Sequence, residues 1–179
     1  EVIEKIKEFP ESEHTIYFGD FFGNYFFVLF LSDIWSYELF EMYMPKTGIN
    51  KSDELKYTTD YECYEGRKSY AESTAGGYYA SRLPIVERLN DKRRQASVLV
   101  LRFITDEYTT PLGVWVVREA VRKTMAGNPI EFASKELMLE YVKQFVRMKF
   151  RFDAEQILNK SNILRNQVVQ RKLVEYLLV

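Results

Sequence analysis

Apolar positions along the chain change their spacing several times, and each change marks an element. Val2, Ile3 and Ile6 in a charged setting predict a short helix that stops at Phe9-Pro10, where proline restricts the residue before it. From Thr15 to Met44 the chain turns aromatic and β-branched. Ile16-Tyr17-Phe18, a turn at Gly19-Asp20, the run Tyr25 to Leu31 and the alternating apolar positions from Ser36 to Met44 predict two or three antiparallel strands. Pro45 to Glu54, with Gly48, Asn50, Ser52 and Asp53, reads as a loop and a candidate boundary. Tyr57 onward fits neither period until Thr74, where a helix starts that runs to about Asn90, with a kink or break near Arg82-Leu83 imposed by Pro84. Val98-Leu99-Val100-Leu101, within Ala96 to Thr105, suits a strand buried on both faces. Val114, Val117, Val121 and Met125 predict an amphipathic helix that Gly127-Asn128-Pro129 stops. A further helix starts at Ser134 with Leu137, Tyr141, Phe145 and Met148 as its apolar stripe, and a last helical stretch runs from Ala154 to the end. The pattern predicts an α+β fold with an early antiparallel, aromatic-rich sheet and a buried central strand at 97–105 covered by helices. It is either a single compact domain over 1–179 or two closely packed subdomains, an acidic, β-rich 1–56 and a basic, helix-rich 57–179.

Composition narrows the class. Hydrophobic residues make up 46% and aromatic residues 16% of the 179, which excludes a disordered chain. The longest apolar run, Tyr25 to Leu31, is too short for a membrane helix of about 20 residues, so no membrane association is expected. One cysteine, Cys63, excludes a disulfide framework and a multi-cysteine zinc site and fits a reducing, cytoplasmic setting. The chain begins at Glu1 with no targeting pattern behind it, and reads as a fragment or a processed chain.

The net charge is only -1, but it is unevenly spread. Residues 1–66 hold 5 Lys, no Arg and 14 Asp or Glu, whereas residues 67–179 hold 20 Lys or Arg against 12 acids. Arginine's planar fork of donors suits phosphate, so its confinement to the second part makes an anion-binding surface there a candidate. The alternative is that acidic and basic parts attract each other within one fold.

Thr74 followed by Gly76 and Gly77 offers a helix start with bare backbone N–H groups, a natural phosphate site, with Arg67, Lys68 and Arg82 to close it and Tyr78 and Tyr79 to stack on bases. Equally, the glycines allow close packing on a sheet. Arg118 and Arg122, one turn apart, are candidates to grip a phosphate backbone, while Glu119 and Lys123 read as an ordinary ion pair. Lys143, Arg147 and Arg151 form either a phosphate-tracking ridge or a solvated face. Catalysis has thinner support. His14 is the only histidine and has no recognisable triad partner. Glu62 and Glu65, with Asp60 and Glu72 nearby, together with Glu119 are the catalytic candidates of an arginine- or metal-assisted phosphodiester or nucleotide hydrolase, although their spacing matches no metal signature and no metal site is assigned.

Tyr64-Glu65-Gly66-Arg67-Lys68, Thr74-Ala75-Gly76-Gly77-Tyr78-Tyr79-Ala80-Ser81-Arg82-Leu83, Arg94 to Arg102 and Pro111 to Glu119 together resemble the archaeal Nre family of sliding-clamp-interacting DNA repair proteins. The resemblance is dense over about half the chain. It implies a role in archaeal DNA-damage repair, with DNA and the sliding clamp PCNA as partners, a zinc-finger-like region near the N-terminus and a clamp-binding peptide at the C-terminus. This chain has no paired cysteines, so no cofactor is expected in it, and zinc is expected only in a missing N-terminal region. Within 167–179, Gln170, Leu173, Tyr176 and Leu177 look like such a clamp-binding peptide: Gln170 would enter a polar pocket and the other three would form an apolar plug. Leu177 stands where a second aromatic residue is usual. Ile163, Leu164, Val168 and Val169 also permit a terminal helix folded onto the domain. A protein-only adaptor is a further alternative.

Overall fold

A computed structural model describes residues 1–109 and 113–168. In chain order the elements are α1 (Val2–Ile6), β1 (His14–Phe21), β2 (Asn24–Leu31), β3 (Ser36–Tyr43), β4 (Lys56–Glu62), α2 (Ala75–Lys92), β5 (Ser97–Ile104), α3 (Val114–Ala126), β6 (Ile130–Phe132), α4 (Lys135–Phe150) and α5 (Glu155–Leu158). Residues 162–168 are also helical.

The six strands form one mixed sheet in the order β4-β3-β5-β2-β1-β6. Every neighbouring pair is antiparallel except β3 and β5, which run parallel with Glu41 opposite Arg102. The early strands therefore do not form a simple meander, because β5 is inserted between β2 and β3. Helices cover both faces, which is why β5 is buried at every position and β2 at nearly every one. On one face Phe26, Val28, Leu39 and Val100 pack with Tyr78, Ile85 and Leu89 of α2 and Val117 and Val121 of α3. On the other, Phe27, Leu29, Phe40 and Leu101 pack with Met138, Val142 and Val146 of α4 and with Ile157 and Ile163. Among the described residues no helix is long and apolar enough to cross a membrane.

Several expectations are corrected. Gly19 and Asp20 lie inside β1, opposite Phe26 and Tyr25. The turn is at Phe22-Gly23, both with positive φ, as a tight two-residue hairpin requires. Pro84 is buried within α2, which runs without a break from Ala75 to Lys92, since packing on the sheet holds the helix through it. The buried stripe of α4 is Met138, Val142 and Val146, whereas Leu137 and Met148 are 58% and 74% exposed. The last helical stretch is interrupted after α5 and restarts at 162, where the fully buried Glu38 accepts from Ser161 Oγ (2.6 Å), the backbone N–H (2.9 Å) and side-chain amide (2.8 Å) of Asn162, and the N–H of Ile163 (3.3 Å). A carboxylate there satisfies otherwise unpaired helix donors.

His14, half-buried, accepts the Ser32 backbone N–H at Nδ1 (3.2 Å). Burial first and Lys135 second hold it below the ordinary histidine value, so the folded state favours the neutral ring. Below that ordinary value the unfolded chain binds more protons than the folded one, so His14's contribution to stability is present above about pH 6.5 and lost as pH falls. The melting temperature of the wild type is expected to drop more than that of His14→Gln between about pH 7.5 and about pH 5, which parallel thermal melts would check.

Candidate functional site

Side chains alternate across a strand, so residues two apart share a face. On the α2 face this places Asp60 and Glu62 of β4, Glu41 of β3, Arg102 of β5 and Asn24 of β2 in a polar band beneath the N-terminal half of α2. Arg102 Nη1 donates to Glu41 Oε1 at 2.5 Å, and its Nε and Nη2 donate to Asn24 Oδ1 at 2.9 and 2.6 Å. Both members of this ion pair are buried. Asp60 Oδ2 accepts from the N–H and hydroxyl of Thr74 at 2.7 and 2.9 Å, while its other oxygen lies 3.2 Å from Arg67 Nη1. Glu62 Oε2 accepts from the Tyr78 hydroxyl at 3.0 Å and is bonded to Arg82 Nη1. Burial, reinforced by Glu62, pushes the Tyr78 phenol far up, so Tyr78 acts as a donor. Three acids from the first 66 residues thus meet three of the arginines that follow. The charge division along the sequence becomes, in part, mutual neutralisation inside one fold.

The first turn of α2 is accordingly lined by the protein's own carboxylates. Thr74 makes no side-chain cap of its own and is held by Asp60. Gly77 is buried against Glu41, and a Cβ there would overlap Glu41 Oε1. Gly76 instead faces the Val114 side chain of α3. Of the residues singled out from sequence, Arg67, Thr74, Tyr78, Tyr79 and Arg82 come together with Glu62. Arg67 is fixed further by the carbonyls of Tyr61, Ser69 and Tyr70.

Beside this band a surface groove of about 460 Å³ is lined by Lys7, Arg67, Lys68, Arg82, Tyr70 and Tyr79, with Glu1, Glu4, Glu62 and Glu65 among its acids. The Arg82 guanidinium lies 5.0 Å from the Tyr79 ring centroid, and Tyr70, 65% exposed, packs 4.5 Å from Tyr79. Lys68 is exposed. The exposed Glu65 carboxyl is held below the usual range by the Cys63 thiol, which donates to it, and by its own backbone N–H. Asp60 and Glu62 are committed to Thr74, Arg67, Tyr78 and Arg82, and among the described residues no group of three or more His, Cys, Asp or Glu side chains is placed to hold a metal.

Arg118, Arg122 and Glu119 lie apart from the groove, on the surface of α3. Arg122 Nη1 donates to Glu119 at 2.9 Å, Arg118 lies 3.4 Å from the same carboxylate, and Arg122 also reaches Glu87 of α2 at 3.4 Å. Gly76 beside Val114 and Glu87 beside Arg122 show that α2 and α3 lie side by side in the same direction. Together these two helices carry six Lys or Arg (Arg82, Arg88, Lys92, Arg118, Arg122, Lys123) against three acids (Glu87, Asp91, Glu119). Leu83 and Trp115 on this layer are 46% and 48% exposed. Sequence reading missed Glu41, Arg102 and Asn24, because their pairing depends on strand order. Pro111 and the tail residues Gln170, Leu173, Tyr176 and Leu177 lie outside the described residues.

The family model described as archaeal Nre, C-terminal, matches residues 62–176. The DNA repair protein NreA of Haloferax volcanii is 41% identical over 115 residues, covering 63% of this chain and 27% of that protein. NreB of Archaeoglobus fulgidus, also named a DNA repair protein, is 34% identical over 178 residues, 99% of this chain and 44% of its own length. NreA of the same organism is 37% identical over 131 residues, 73% and 33% of the two chains. The chain thus spans less than half the length of the curated relatives it matches. No solved structure matches it.

Proposed function

The chain belongs to the archaeal Nre family, and from that membership and the cationic α2–α3 layer we propose that it is a DNA repair factor that binds nucleic acid. The observation that carries the reading is the surplus of Lys and Arg on two adjacent parallel helices, which remains after Arg82 is set against Glu62 of β4, with Trp115 exposed among them. Cations on a helical surface displace the counterions condensed on DNA, and an exposed indole can stack on a base. Arg82 belongs both to this layer and to the groove holding Lys68, Tyr70 and Tyr79, so a strand lying across the helices continues into the groove. Recruitment by the sliding clamp PCNA through Gln170, Leu173, Tyr176 and Leu177 is the second part of the proposal. It rests on the residue pattern and the family resemblance, and tethering to a clamp on DNA would raise the local concentration of the domain at its substrate.

Arg118→Gln with Lys123→Gln is expected to weaken DNA binding about tenfold at low salt and to change the melting temperature little, since both side chains are exposed and lose surface contacts, to Glu119 and to the Asp20 carbonyl. Anisotropy titrations with labelled DNA read the first and thermal melts the second; unchanged affinity would remove the α2–α3 layer from the interface. For the tail, Leu173→Ala with Tyr176→Ala is expected to abolish co-elution with the clamp and to spare DNA affinity. A lowered melting temperature with no clamp binding by the wild type would instead assign those side chains to this chain's own core.

A further inference from the structure

Glu65, on the loop 63–66, lines both the groove and a second cavity of about 340 Å³. This cavity lies where β3 and β5 begin, at Ser36 and Ser97, and where β4 ends, at Tyr61. Its volume is near the lower limit for small-ligand pockets, about 300–1,000 Å³, which suits one ring system. Among the described residues no lysine or arginine lines it, so they offer a phosphate no cation. What it offers is two phenol rings and hydrogen-bonding edges. Tyr64 is 37% exposed with the Lys7 ammonium 4.8 Å from its ring centroid, and the Tyr61 hydroxyl accepts from Asn166 Nδ2 at 3.1 Å. Gln167 Nε2 donates to Asp33 Oδ2 at 2.9 Å, so amide and carboxylate groups stand together on the wall. Carboxylates accept from exocyclic amines, amides read a base edge in both directions, and tyrosines stack on its face.

We propose that this cavity receives a single nucleobase turned out of bound DNA, with an amine-bearing base preferred over thymine; the inference rests on the DNA-binding reading above. The loop 63–66 would then separate the strand, held in the groove, from the extruded base. Extrusion costs least where a base is already unpaired.

The test compares the affinity of the protein for a fully paired duplex with that for the same duplex carrying one bulged cytosine, both by anisotropy. The bulged duplex is expected to bind about tenfold more tightly. Tyr64→Leu and Asn166→Ala, each checked by thermal melting, are expected to bring that ratio close to one while leaving the paired-duplex affinity unaltered. Equal affinities for the two duplexes in the wild type, or a preference that both variants retain, overturn the base pocket and leave the DNA-binding reading intact. Binding of neither duplex at low salt overturns both. Saturable binding of arginine methyl ester that Tyr64→Leu removes, together with equal duplex affinities, would assign the cavity to a basic side chain and overturn the proposal.

Discussion

Replacing Arg102 with leucine is expected to cost about 3–5 kcal/mol of folding stability, the usual penalty for removing one member of a buried ion pair. Leucine restores apolar volume but leaves the Glu41 carboxylate buried and without its guanidinium, and it also strips Asn24 Oδ1 of two donors. The cost arises from the stranded charge rather than from the contact itself. The double variant Arg102→Leu, Glu41→Met is therefore expected to recover most of the loss, because neutral, well-packed side chains of similar size can replace a buried pair at little cost. Urea unfolding of the wild type, the two single variants and the double variant reads this coupling directly. A double variant as unstable as the sum of the singles would contradict it.

Gly77→Val is the second large effect. A Cβ at this position overlaps the Glu41 carboxylate, which is itself held by Arg102, so neither partner can move without breaking the pair. Overpacking alone costs about 1–3 kcal/mol, and displacement of Glu41 from Arg102 adds to it. Gly76 provides the control one residue away. Its Cβ would overlap a methyl of Val114, a side chain that is 55% exposed and so has solvent rather than core beside it. Gly76→Ala is therefore expected to be tolerated, with the helix-propensity advantage of alanine over glycine, about 1 kcal/mol, offsetting the adjustment. Thermal melts of the two variants separate these outcomes. If Gly77→Val kept wild-type stability but lost DNA affinity, the glycine would be serving a ligand rather than the packing of α2 on the sheet.

Elements whose signals are local were legible in the sequence. Ser134 caps α4 by accepting the Leu137 N–H at 3.2 Å, and β5 announces itself as a continuous apolar run because both of its faces are covered. β4 was missed because it is an edge strand whose first residues, Lys56 and Tyr57, are exposed, and whose inward residues Asp60 and Glu62 are charged. An alternation rule based on apolar residues cannot detect a strand that buries carboxylates. The stripe of α4 was misplaced by one position: Tyr141 and Phe145 flank the buried line of Met138, Val142 and Val146, and a periodicity of 3.6 fixes the existence of a face better than its centre. The site divides in the same way. The cluster from Arg67 to Arg82 was visible because its members are close in sequence. Its counterparts Glu41, Asn24 and Arg102 are brought in by the parallel pairing of β3 with β5 and the antiparallel pairing of β5 with β2, which no local pattern specifies.

If the surplus cations of the α2–α3 layer meet DNA, the affinity for DNA depends steeply on salt. In titrations across salt concentrations, the logarithm of the binding constant is expected to fall linearly with the logarithm of salt concentration, with a slope of about -0.9 for each phosphate neutralised on a duplex, and Arg118→Gln with Lys123→Gln is expected to make that slope shallower. A flat salt dependence, or the absence of binding at low salt, would contradict it.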